Sequence, residues 1–284
     1  MTTRFAYVPL ASSLHDEEVL QRLIAEYVTP LERIGAEQSA PQETVAERPL
    51  VVFVVTGGTE QLILDLWEQR KQVRPGEPLL LIAHPGHNAL PASLEALARL
   101  QQLGAAGRII YLQGPGDDET LALLQQAVAD LEVLHALRDV RIGLVGEPSD
   151  WLVASSPDPE VVRRMWGPQV VPVDLESVYQ KYRSVAGASP VAEDLAGRAA
   201  EIVEADTDEI HDAAQFAGAL RAVVEERKLN AVTVRCFDVI SALGTTGCVA
   251  LSELNDDEMI AGCEGDLVST VGMIWVKELL GILP

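Results

Sequence analysis

An α/β protein made of two consecutive doubly wound parallel-sheet domains is predicted by three features of this chain. Strand-like and helix-like segments alternate along it. The strand segments are continuous apolar, β-branched runs, as strands covered on both faces are. The alternation then restarts near Asp139. This order implies parallel pairing with helices on both faces of each sheet. The predicted domains are 1–138 and 139–284, with no Gly/Ser-rich linker between them.

In the first domain, residues 5–10 read as a short strand and 15–34 as a helix with Val19, Leu20, Leu23 and Ile24 on its apolar face. Residues 37–48 are polar and lack apolar periodicity, so a loop or ragged edge is expected. Residues 50–55 form a buried strand ending in Thr56-Gly57-Gly58-Thr59, and a helix follows over 60–73. The next strand, 78–83, is closed by His84-Pro85-Gly86-His87-Asn88 and followed by a helix over 91–103 that Gly104 stops. A strand at 108–112 and a long helix at 118–137 complete the domain.

In the second domain, strands are expected at 141–145, 170–173, 231–237 and 259–263. Helices are expected at 160–166, 175–185, 191–204 and 207–228, with a loop over 146–159 and mixed helix and loop over 239–254. The last helix, 267–280, is apolar on nearly every face, through Leu267, Val268, Val271, Met273, Ile274, Trp275, Val276, Leu279 and Leu280. Such a helix is expected to be covered all round. Gly281 would cap it, and Ile282-Leu283-Pro284 reads as the approach to a further strand. Either another subunit or a following segment of a longer protein is expected to cover this helix.

Composition excludes several function classes. Of the 284 residues 48% are hydrophobic, enough for real cores, and 43 acidic against 21 basic residues give a net charge of −22. That surface repels phosphate backbones and anionic lipid, so neither nucleic acid nor a membrane surface is an expected partner. The acidic clusters at 16–18, 117–119 and 256–258 read as helix-start charge and solvated turns. Cys236, Cys248 and Cys263 are too few and too irregularly spaced for a disulfide framework or a zinc site. The amino terminus has no signal-peptide core and no apolar run reaches transmembrane length, so a reduced cytoplasmic compartment is expected.

Several stretches offer chemistry. Thr56-Gly57-Gly58-Thr59 lies between strand and helix, where backbone N–H groups can cradle an anion, or it is simply a tight turn before a helix. It has neither the glycine spacing nor the lysine of a nucleotide fingerprint. His84 and His87 flank a Pro-Gly turn at a strand's carboxyl end, although no third metal ligand is local. Ser149, Ser155 and Ser156 lack a nucleophile-elbow pattern. Cys263 has nothing nearby to lower its pKa, and a buried, small apolar role is expected for it.

Glu264 stands apart. It sits between Gly262 and Gly265 at the end of an apolar strand, ahead of the last helix, and open α/β sheets bind ligands outside the carboxyl ends of their strands. The flanking glycines allow close approach of backbone or ligand. Asp266 is expected in the first turn of the helix. The Glu264 carboxylate suits a hard-metal ligand or a general base beside a carbonyl. Capping of the helix is the alternative, and the pattern alone leaves both open.

Gly262-Cys263-Glu264-Gly265-Asp266, followed by a long apolar helix, resembles the Glu-Gly-Asp segment of the L-fucose and L-arabinose isomerase superfamily, in its fucose isomerase-like branch. Other stretches agree in family order along essentially the whole chain. They are Thr56-Gly57-Gly58-Thr59-Glu60, the run from His84 through Asn88 to Ala92, and 141–146 with 170–175 after it. Val234-Arg235-Cys236-Phe237-Asp238, followed by 245–252, completes the set.

The resemblance implies two flavodoxin-like α/β domains and, in family members, a third domain of β-barrel type. Family enzymes interconvert aldoses and ketoses through an enediol, with a divalent metal, commonly manganese, holding two sugar oxygens. Glu264 matches the family glutamate that ligates the metal and shuttles the proton. His84, His87, Asn88 and Asp238 are the candidate substrate-contacting residues. The family's second carboxylate and its histidine ligand follow this last helix, so the resemblance assigns only Glu264 of the ligand set to these residues. A truncated or split isomerase, inactive or very weak alone, is therefore expected, as a homo-oligomer or with a separate partner carrying the carboxyl-terminal domain. The alternative is a non-catalytic sugar-binding or assembly module on the same scaffold.

Overall fold

The structure is a computed structural model and describes residues 3–40, 48–184 and 190–282. It divides into two compact units, Met1–His135 and Ala136–Pro284. Each is built on its own all-parallel sheet, as the alternation of apolar runs predicts.

The first unit runs β1 (Phe5–Leu10), α1 (Glu17–Arg33), β2 (Ala36–Gln38), β3 (Leu50–Val54), α2 (Glu60–Val73), β4 (Leu79–Ala83), α3 (Ala89–Gln102), β5 (Gly107–Tyr111) and α4 (Asp118–Asp139). The sheet order is β2-β1-β3-β4-β5. Successive strand residues point to opposite faces. Tyr7, Val51, Phe53 and Ile82 pack with Tyr27 and Leu31 of α1 and Leu124 and Val128 of α4. Val8, Val52, Val54 and Leu81 pack with Ile63 and Trp67 of α2 and Ala96 and Leu100 of α3. With both faces covered, no polar alternation survives in these strands, which is why they read as unbroken apolar runs.

Of the two expectations for 37–48, the loop does not hold at its start and the edge does: Ala36, Glu37 and Gln38 pair in parallel with Phe5, Ala6 and Tyr7. Backbone hydrogen bonds make this edge strand, and only Ala36 is buried, so it carries no apolar signature. Residues 41–47 lie outside the described residues.

At the amino ends of the strands, Glu77 is buried between Arg70 and His135. Glu77 Oε1 lies 3.0 Å from Arg70 Nη2 and 2.7 Å from His135 Nε2. Arg70 Nη2 also donates to the Arg48 carbonyl at 2.6 Å. Burial pushes the Glu77 carboxyl up, but the bonds from His135 and Arg70 outweigh it and hold the group below the usual carboxylate range.

The second unit continues with β6 (Arg141–Val145), α5 (Pro159–Trp166), β7 (Gln169–Val173), α6 (Leu175–Ser184), α7 (Pro190–Arg198), α8 (Thr207–Arg227), β8 (Ala231–Val234), α9 (Cys236–Leu243), α10 (Cys248–Asp256), β9 (Ile260–Cys263) and α11 (Leu267–Leu280). Its sheet order is β7-β6-β8-β9. Val145, Val173, Val232 and Val234 pack against α6, α8 and α10, while α5 and α11 lie on β7, β8 and β9.

Two boundaries differ from expectation. The strand predicted over 231–237 stops at Val234, because Arg235 leaves the extended region and Cys236 starts α9. The helix predicted over 191–204 ends at Arg198, and the following Ile202 and Val203 are exposed. The helix expected over 175–185 is present through Ser184, and residue 185 lies outside the described residues. The mixed stretch 239–254 resolves into parts of α9 and α10, separated at Gly244.

Leu267, Thr270, Val271 and Ile274 of α11 are buried, but Val268, Trp275, Leu279 and Leu280 are exposed. The described residues thus cover one side of the last helix. Gly281 ends it in the left-handed region, φ 65°, as expected.

Candidate functional site

The tip of β9 is a sharp turn through two residues of left-handed backbone, Glu264 at φ 64° and Gly265 at φ 71°. Asp266 follows as the N-cap of α11, where Oδ1 accepts the Ser269 N–H and Oδ2 the Ser269 hydroxyl, each at 2.8 Å. The helix cap is thus Asp266, one position earlier than the first turn expected for it, and Glu264 is relieved of that task.

The flanking glycines answer to backbone and helix packing. A Cβ on Gly262 would lie 2.3 Å from Thr270 Oγ1 of α11. One on Gly265 would lie 2.8 Å from Pro148 Cα and 2.9 Å from the Glu147 carbonyl. The loop after β6 can therefore press against the turn. It is fastened there by the Ser149 N–H, which donates to the Glu264 carbonyl at 2.8 Å, while the Gly265 N–H donates to Val234 at 3.2 Å.

The half-buried Glu264 side chain accepts the Trp151 indole N–H on Oε2 at 2.7 Å. Trp151 in turn meets Phe237 of α9 edge to face, with ring centroids 5.2 Å apart. A cavity of about 500 Å³ opens beside the carboxylate, lined among others by Cys248, Cys263, Glu264, Ser269 and Met273. Cys263 is exposed here, against the expectation of a buried apolar role, because it is the last residue of an edge strand. Partial desolvation pushes its thiol up, and Cys236 and Glu264 add to this, so the site contains no activated thiolate at Cys263.

Asp238 belongs to a neighbouring crevice. It lies in the first turn of α9, with Oδ2 2.9 Å from Arg235 Nε. Arg235 also reaches the Pro148 carbonyl at 2.7 Å and Asp150 Oδ1 at 3.2 Å. This cluster sits where the strand order reverses between β6 and β8, in a cavity of about 580 Å³ that Glu147 and Asp174 also line. The Tyr179 phenol is pushed up to about 12 by burial and by the carboxylates of Asp238 and Glu176. Asp238 and Glu264 thus line different cavities; the loop after β6 lines the first through Glu147 and Asp150, and holds the Glu264 carboxylate through Trp151.

In the first unit, His84, His87 and Asn88 follow β4. His84 is buried, with Nε2 2.9 Å from the Val55 carbonyl and the Gly86 N–H donating to Nδ1 at 3.2 Å. Those partners require a neutral ring protonated on Nε2, and burial pushes the imidazole down accordingly. Both nitrogens are engaged by backbone, so His84 holds the loop in place. His87 and Asn88 are exposed at φ 52° and 58°. His87 lies edge to face with His15 at 5.5 Å, and its carbonyl accepts the Gly57 N–H at 2.7 Å. One N–H of the Thr56–Thr59 turn is therefore committed to protein.

A divalent metal does not fit the described residues on their own. No group of three or more His, Cys, Asp or Glu able to hold an ion occurs among them. Glu264 offers one carboxylate, Asp266 spends both oxygens on Ser269, and Asp238 faces Arg235.

Trp151 and Asp150 are site residues that sequence patterns do not single out, and Arg235 and Phe237 lie in a quoted stretch without a role assigned to them. For Trp151 the signal was a lone large aromatic in the polar loop after β6.

No family model matches the chain. It is similar to the sulfoquinovose isomerase of Alkalicoccus urumqiensis, 25% identical over 151 residues, covering 52% of this chain and 34% of that protein. The sulfoquinovose isomerases of Priestia aryabhattai and Priestia megaterium are each 25% identical over 175 residues, covering 60% of this chain and 39% of the relative. The matches thus span little more than a third of these relatives' lengths. This distant similarity supports a relationship to sugar isomerases, the level at which it agrees with the resemblance carried by the segment 262–266.

Proposed function

We propose that this chain is the sugar-facing α/β part of an aldose–ketose isomerase of the fucose isomerase-like type, with Glu264 as the carboxylate that meets the sugar. The observation that carries this reading is the Glu264 side chain, held by Trp151 at an open strand tip in a left-handed conformation that α11, capped by Asp266, does not need. The distant similarity to sulfoquinovose isomerases supports the reaction class.

Aldose–ketose interconversion moves one proton between neighbouring carbons with no net redox change. A carboxylate takes the proton from the carbon beside the carbonyl and returns it to the adjacent one. Trp151 occupies Oε2, which leaves Oε1 of Glu264 for that proton. The adjoining cavity, about 500 Å³, matches the size of small-molecule sites. His87 and Asn88, exposed after β4, are proposed to contact the substrate of a neighbouring subunit, with His84 positioning their loop. Asp238 is proposed to act on substrate only after exchanging its contact with Arg235. No step is derived through a metal. The further carboxylate and histidine that relatives of the fucose isomerase type use are assigned to a partner polypeptide or segment, for which the exposed strip of α11 is the proposed contact.

A second reading, a sugar-binding module without turnover, is favoured by the absence of a metal-holding group among the described residues. Calorimetry and ketose assays on the purified chain decide, using Mn²⁺ with L-fucose, L-arabinose and sulfoquinovose, for wild type and Glu264→Gln. The reading expects sugar binding that Glu264→Gln weakens about tenfold, the worth of a charge-assisted hydrogen bond. Binding indifferent to Glu264→Gln would overturn it. Binding without turnover, even when the missing ligands are supplied by a partner polypeptide, selects the second reading.

A further inference from the structure

Trp151 and Phe237 are large apolar side chains that remain 55% and 48% exposed. They come from different strand tips, Trp151 from the loop after β6 and Phe237 from the start of α9 after β8. Their rings meet at 5.2 Å with an interplanar angle of 84°, and the Trp151 indole N–H is committed to Glu264 at the tip of a third strand.

The loop that carries Trp151 is braced on both sides of it. Pro148 accepts from Arg235 at 2.7 Å, the Ser149 N–H donates to Glu264 at 2.8 Å, and the Leu152 N–H donates to Ser149 at 2.9 Å. An exposed aromatic on a slack loop is ordinary, and single exposed apolar residues need no explanation. Here three strand tips hold two exposed aromatic rings and one half-buried carboxylate in a fixed relation. Fixed aromatic surface with a few convergent polar groups is the composition of a small-molecule site, and an aromatic ring presents its negative face to the positively polarised C–H groups of a ligand.

We propose that Trp151 and Phe237 form the apolar wall of a monosaccharide site whose polar anchor is Glu264. The wall takes the C–H face of the sugar ring and turns the carbon that gives up its proton toward Glu264 Oε1. Trp151 has a second task as a positioning residue: its indole N–H holds Oε2 and thereby sets the direction of the carboxylate. This deepens, and rests on, the reading of Glu264 as the sugar-facing group.

The test uses the full chain, labelled with nitrogen-15. Its 4 tryptophans give separate indole N–H signals, and Trp151→Phe identifies the one from Trp151 by its loss. Titration with L-fucose, L-arabinose and sulfoquinovose is expected to shift the Trp151 signal saturably and to leave that of Trp67, buried in the first unit, unchanged. Trp151→Ala is expected to weaken binding about tenfold and Phe237→Ala severalfold, as truncation of aromatic anchors does. Trp151→Phe, which keeps a ring and loses the N–H, is expected to fall between wild type and Trp151→Ala. Should Trp151→Ala melt early, Trp151→Phe and Phe237→Ala carry the decision. Sugar binding that Glu264→Gln weakens while Trp151→Ala and Phe237→Ala leave it intact overturns the wall and spares the reading of Glu264. Equal losses in Trp151→Phe and Trp151→Ala, with Phe237→Ala unchanged, also overturn the wall. No saturable binding by wild type overturns both.

Discussion

The indole N–H of Trp151 and a carboxylate oxygen of Glu264 lie 2.7 Å apart across 113 residues of sequence. The same two segments are joined a second time by the Ser149 N–H on the Glu264 carbonyl. Side chain and backbone of Glu264 are thus both set by the loop after β6. This double contact holds an L-residue in the left-handed region, a conformation that costs roughly 1–2 kcal/mol.

That strain is measurable by substituting Glu264 in two ways that both delete the carboxylate. Glycine adopts φ 64° freely and alanine does not. Glu264→Gly is therefore expected to be more stable than Glu264→Ala by about 1 kcal/mol, or a melting difference of about 2–4 °C. Elsewhere in regular structure the order is reversed. Equal melting temperatures would show that the turn stores no strain.

Gly265→Ala should act on the same contact from the other side. Its Cβ would sit 2.8 Å from Pro148 Cα, against backbone that cannot swing aside, at φ 71°. A loss of about 2 kcal/mol is expected, with the loop after β6 displaced and the Trp151 indole signal shifted. Gly272→Ala in α11 meets nothing within 4 Å. It is expected to be neutral or stabilising by up to about 1 kcal/mol, since alanine is the better helix former. A destabilisation as large as that of Gly265→Ala would contradict this account.

Those partners also show why part of the site was legible in sequence and part was not. Leu50–Val54 announces itself as a covered strand because all five residues are buried. Glu264 was visible because two glycines flank it, yet the cause of those glycines, Thr270 and Pro148, is tertiary. The apolar run 231–237 hides the turn into α9, which depends on Arg235. That residue's N–H pairs with Val145 and its side chain with Asp150, 85 residues away. No local pattern carries that information. The edge strand Ala36–Gln38 is made by backbone pairing alone. The burial of His84 against Phe53 and Tyr27 is likewise invisible in a His-Pro-Gly turn that reads as surface.

Cys263 offers a chemical check on the site. Its thiol is exposed but pushed above its ordinary value by partial desolvation, Cys236 and Glu264. Alkylation by iodoacetamide near pH 7.5 is expected to be slower at Cys263 than at a free cysteine, because only the thiolate reacts. Glu264→Gln removes one of these causes, so the rate at Cys263 should rise in that variant. Peptide mapping by mass spectrometry resolves the two exposed thiols, Cys248 and Cys263. A fast-reacting Cys263 would show that the tip of β9 is more hydrated or more positive than the structure places it.

The stability of the first unit should depend on acid through Glu77. Its carboxyl is held below the usual range, because the hydrogen bonds from His135 and Arg70 outweigh the desolvation that would raise it. A depressed carboxyl contributes stability in full above its unfolded value, about 4.3, and that contribution is lost as pH falls through the folded value. Melting temperature should therefore hold from neutral pH down to about pH 4–5 and fall below it. Glu77→Gln removes the charge opposite Arg70 in a site where both side chains are nearly inaccessible, 3% and 5% exposed. Removing one member of a buried ion pair costs about 3–5 kcal/mol at neutral pH. The variant should thus start lower and show a flatter acid profile than wild type. Parallel melting profiles for the two proteins between pH 7 and 3 would show that Glu77 titrates no differently in the folded and unfolded chains.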